Sequence, residues 1–95
     1  MGNLRGIKKD IEFVINEFVD DCNLFLKLKP GKFTIEVTDL VDEAVELYNN
    51  LRDRVLVPEG DKKAYYNGLR KELLEKVDGL YDRFSELVKK SNENA

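Results

Sequence analysis

The sequence predicts an all-α fold, an antiparallel up-down-up three-helix bundle with helices at about 3–28, 34–57 and 61–90. Apolar residues recur at spacings of three and four along three long stretches, the mark of helices with one buried face. Only two prolines and six glycines punctuate 95 residues, so the elements must be long. One segment alternates like a strand, but no second one does, and an isolated strand is not stable alone.

Helix one is expected from about Asn3, an acceptable N-cap, to Leu28, where Pro30-Gly31 stops it. Leu4, Ile7, Ile11, Val14, Phe18, Cys22 and Phe25 form its stripe, and Ile15, Val19 and Leu26 widen it on one side. A stripe that wide belongs to a helix touching two neighbours.

The strand-like segment is GKFTIEVTDLV, residues 31–41, where Phe33, Ile35 and Val37 alternate with polar residues. On the helical wheel of Leu40, Ala44, Tyr48, Leu51 and Val55, however, Phe33 and Val37 fall on the apolar arc. Only Ile35 falls opposite. Asp39, Asp42, Glu43, Glu46 and Asp53 share the outer face, so the segment reads as the start of helix two, capped by Thr34 or Thr38. Pro58 and Gly60 end that helix near Val57.

Helix three is expected to open at Asp61, a natural N-cap, and to carry the stripe Tyr66, Leu69, Leu73, Val77, Leu80, Tyr81, Phe84, Leu87 and Val88. The polar tail SNENA, residues 91–95, is expected to fray. Connections this short force sequential helices antiparallel. The whole chain, 1–95, is one domain.

The residue inventory excludes much chemistry. With no histidine, the usual general base, the Ser-His and Cys-His pairs and the commonest transition-metal ligand are all missing. The lone Cys22 sits in the apolar stripe, where it reads as core filling and offers neither a disulfide nor a zinc site. KPGK, residues 29–32, lacks the spacing of a phosphate loop. Paired carboxylates such as Asp20-Asp21 and Asp42-Glu43 fall on outer faces as solvated surface. No enzyme, no metal and no cofactor is expected. The N-terminal stretch lacks the apolar core of a signal peptide, and no apolar run is long enough to span a membrane, so a cytoplasmic location is expected. A net charge of −3 makes a nucleic-acid partner a poor fit overall.

Three features remain as candidate sites. Bundle topology gathers Arg5, Lys8, Lys9, Arg52, Arg54, Lys62 and Lys63 at one end, a place for weak nucleic-acid contact or anion docking. Arg70 falls on the apolar arc of helix three, opposite Glu12 on helix one and Tyr48, Asn49 or Asn50 on helix two when the helices are matched in level. Its stem can lie along the core with the guanidinium paired at the rim, or it can form an anion or small-ligand pocket with Tyr48 and Tyr66. Phe13 and Leu24 point away from the stripe of helix one and Ile35 away from that of helix two, which makes a protein partner or a homodimer through helix one the expected role. In length and layout the chain resembles the uncharacterised small helical-bundle families of bacteria. That resemblance covers the whole chain, rests on pattern and not on a motif, and implies no activity. The sequence therefore points to an interaction module or adaptor, with the Arg70 pocket as the alternative.

Overall fold

The computed structural model describes residues 4–93, and side chains over residues 6–92. Asn3, the side chains of Leu4 and Arg5, and Asn94-Ala95 lie outside the described residues. Three helices follow one another: α1 over Leu4–Leu28, α2 over Thr34–Val55 and α3 over Lys62–Glu93. Among the described residues there is no strand, and the segment that alternates is helical from Thr34 onward.

Side-chain bonds fix how the helices run. Asp10–Arg70 and Asp21–Tyr81 both span 60 residues, so α1 and α3 run parallel with residue n level with residue n + 60. Glu12–Tyr48 sets α2 antiparallel to α1, and Arg54–Glu72 with Glu43–Arg83 sets it antiparallel to α3. The result is an up-down-up rod of 51 × 19 × 17 Å.

Its core is the predicted stripes brought together, with Leu47 added from α2. Ile7, Ile11, Ile15, Phe18, Cys22 and Phe25 of α1 meet Val37, Leu40, Ala44, Leu47, Leu51 and Val55 of α2 and Tyr66, Leu69, Leu73, Val77 and Leu80 of α3. Toward the α1–α2 loop the packing is aromatic. Phe18 meets Tyr81 and Phe84 edge-on at 4.9 and 6.0 Å between ring centres, and Phe25 meets Phe84 at 5.8 Å. Such pairs add roughly 0.5–1.5 kcal/mol each beyond burial.

Three boundaries differ from expectation. Neither Thr34 nor Thr38 caps α2. The cap position is Phe33, in the left-handed region at φ 50°, with no side-chain hydrogen bond to the helix. Its ring packs against the core, so apolar anchoring and not a hydroxyl sets how the chain enters α2. Gly31 just before it, at φ 82°, supplies the reversal that a side chain would resist. At the other end α2 stops at Val55 instead of Val57, because Leu56 and Val57 already bond back to Asp53 and Arg54 in a closing turn before Pro58.

The third difference is at the C-terminus, where Ser91 to Glu93 belong to α3 and not to a frayed tail. Ser91 continues the stripe Phe84–Leu87–Val88 and is only 1% exposed. By the register above it lies level with the α1–α2 loop. Its Oγ has no hydrogen-bond partner, and an unmet buried hydroxyl costs about 1–3 kcal/mol. Ser91→Ala should therefore raise stability by roughly 1 kcal/mol, from the removed hydroxyl and alanine's better helix propensity. A lower urea midpoint for the variant would show that the hydroxyl has a partner after all.

Candidate functional site

Arg70, Tyr48 and Tyr66 each bond to a different group. Arg70 is half-buried, with its stem against the bundle and Nε donating to Asp10 Oδ2 at 2.9 Å. The acceptor lies two residues earlier than the level-matched Glu12, which instead accepts from the Tyr48 hydroxyl at 3.3 Å. Tyr66 is buried and donates to the Val55 carbonyl at 3.4 Å. The three residues thus have three separate partners, and Arg70 takes the rim pairing that a half-buried guanidinium needs.

At the basic end, Lys8 and Arg52 line a groove of about 320 Å³ with Ile11, Glu12, Tyr48 and Leu56. The Arg52 guanidinium lies 5.8 Å from the centre of the Tyr48 ring, within cation–π range. Lys9, Lys62 and Lys63 are exposed. Arg54 is not available to this end. It forks onto Glu72, with Nη1 at 2.6 Å and Nη2 at 3.0 Å from the two carboxylate oxygens.

The apolar surplus is on the surface as expected: Phe13 is 65% exposed, Leu24 54% and Ile35 75%. Phe13 and Leu24 are eleven positions apart, about 20° on the wheel and about 16 Å along the axis, so they share one outer face of α1. Ile35 points outward from α2 and does not join them. The sequence reading missed Leu74, 59% exposed. It lies four residues beyond Arg70 and seven before Tyr81, the two α3 residues bonded to α1, and therefore on the α1 side of α3. By the register it is level with Phe13 and Val14.

Also missed was the α2–α3 seam. A groove of about 760 Å³ runs there over Glu46, Asn50, Lys76 and Gly79, closed at its ends by Arg54–Glu72 and Arg83–Glu43. Its charges balance, so it favours neither an anion nor a cation. Arg54 holds the Glu72 carboxyl below the ordinary 4.5, chiefly by hydrogen bonding, and Arg83 does the same to Glu43. A carboxyl depressed in the fold contributes stability above its unfolded value and loses it as pH falls through its folded value. Glu72→Gln should therefore lower the urea midpoint at pH 7, by under about 1 kcal/mol for a pair this exposed, and the difference should vanish well below pH 4.5. A difference that persists in acid would assign the effect to packing.

Among the described residues no acidic or thiol cluster is arranged to hold a metal ion, and no helix is long and apolar enough to cross a membrane. Comparison with known protein families, with curated proteins and with solved structures gives no match.

Proposed function

We propose that the chain is a small cytoplasmic interaction module or adaptor, not an enzyme, and that it works through the outer face of α1. The observation that carries this reading is the pair Phe13 and Leu24, both more than half exposed on one helix face while the core beneath is complete without them. Large apolar side chains grouped on a rigid surface are what a partner buries. Affinity capture from the native cell tests it. A protein retained by the wild type and lost with Phe13→Glu supports the reading, and identical recoveries with the two baits count against it.

Anion binding centred on Arg70 has weaker support, since its guanidinium is engaged by Asp10 and both tyrosines bond elsewhere. It requires phosphate or sulfate to raise the melting temperature and Arg70→Met to abolish the rise. Nucleic-acid contact has the exposed Lys9, Lys62 and Lys63 in its favour. Mobility shift at low salt tests it, because such binding weakens steeply as salt rises.

A further inference from the structure

We infer that the occupant of the α1 outer face is a helical partner carrying the opposite charge pattern: two large apolar side chains about eleven positions apart, with lysines or arginines between them. This rests on the interaction-module reading and names the chemistry of the partner.

Along the exposed strip of α1 the residues read Lys9, Phe13, Glu17, Asp20, Leu24, Lys27. On a wheel of about 100° per residue they fall within one outward arc of about 80°. The apolar floor is broader than the two anchors, since the exposed Leu74 lies level with Phe13 on the α1 side of α3 and the exposed Leu28 continues from Leu24. Between the anchors every charge is negative. Asp21 at the edge of the strip accepts from the Tyr81 hydroxyl at 3.1 Å, and Glu17 is near enough to act on the same hydroxyl. Lysines stand only beyond the two anchors.

That order is symmetric about its middle, and the symmetry decides against a second copy. In a two-fold pair the same patch meets itself. With the helices antiparallel in the register that sets Phe13 on Leu24, Glu17 meets Asp20, while Lys9 falls opposite Leu28 and Lys27 opposite Asp10. With them parallel, each charge meets its own copy. Either way the apolar anchors match while the acidic residues between them face one another, and like-charge juxtaposition at an interface is costly. A partner with cations between its anchors turns each repulsion into an attraction.

Two designed helical peptides test this. Both carry leucines eleven positions apart. One has lysines at the outer positions between them and the other has glutamates. Titrated onto the labelled full chain at low salt, the lysine peptide should bind at least about tenfold more tightly than the glutamate peptide, and the gap should shrink as salt screens the charges. Glu17→Lys with Asp20→Lys should reverse the preference. Phe13→Glu should abolish binding of the lysine peptide with helicity unchanged by circular dichroism.

Equal affinities for the two peptides, or a preference untouched by the double charge reversal, overturn the charge-reversed partner while Phe13-dependent docking stands. If neither peptide shows binding that Phe13→Glu removes, the partner chemistry falls; the wild-type against Phe13→Glu capture then decides the module reading separately. A wild-type dimer at neutral pH that Phe13→Glu dissociates, seen by sedimentation, assigns the face to a second copy and overturns the inference.

Discussion

Replacing Phe18 with alanine should remove most of the protein's stability. Phe18 is fully buried at the junction of α1 with α3, its ring edge-on to Tyr81 and Phe84. Truncating a buried phenylalanine costs about 3–5 kcal/mol, from lost transfer energy and the cavity left behind. Domains of this size start from roughly 5–15 kcal/mol, and a thin rod buries less of its surface than a sphere, which places it toward the low end. Urea titration followed by circular dichroism reads the loss directly. Phe18→Leu, which keeps most of the volume, should cost far less. An alanine variant within about 1 kcal/mol of wild type would mean that Phe18 is not at the packing centre.

Cys22 should be almost inert in the folded protein. Its side chain is fully buried, and burial first, with the Asp21 charge second, pushes its thiol from the ordinary 9.0 up to about 12. At pH 8 that lowers the thiolate fraction about a thousandfold, before any loss of access is counted. An aromatic disulfide reagent should label the chain promptly in denaturing urea and only at the rate of unfolding in native buffer. Fast native labelling would contradict the burial. Tyr81 moves the same way, from 10.0 to about 12, through desolvation and its bond to Asp21. Both groups are neutral in the fold at pH values where the unfolded chain ionises. Their contributions are therefore complete below about pH 9 and decline as pH rises toward the folded values. The urea midpoint should fall between pH 8 and pH 11.

Most of the fold was legible in the residue spacing because helix periodicity is set by burial. Leu69, Leu73, Val77 and Leu80 face inward in sequence and in structure alike. Leu47 follows the same spacing, seven residues after Leu40 and four before Leu51, and is buried, although Glu46 and Tyr48 beside it mask the pattern. What spacing does not carry is local conformation and side-chain choice. No propensity places a phenylalanine in the left-handed region, and Phe33 is there because its ring has a core to enter. A serine ends an apolar stripe on paper, whereas Ser91 continues it and is buried. The partner of Arg70 was less legible for a similar reason: level-matching pointed to Glu12, and in a surface ion pair a difference of two residues decides the acceptor, here Asp10. The outward residues Phe13 and Leu24 were found because exposure follows from phase as directly as burial does.

The central claim is that α1 presents its outer face to a partner, and photo-crosslinking inside the native cell tests it without knowing that partner. A photoreactive residue placed singly at Phe13, Leu24, Lys63 or Gly79 samples both ends of the α1 face, the basic end and the α2–α3 groove. Positions 13 and 24 should give a shared adduct, and positions 63 and 79 none. An adduct that forms at 63 or 79 while 13 and 24 stay unlinked would contradict it.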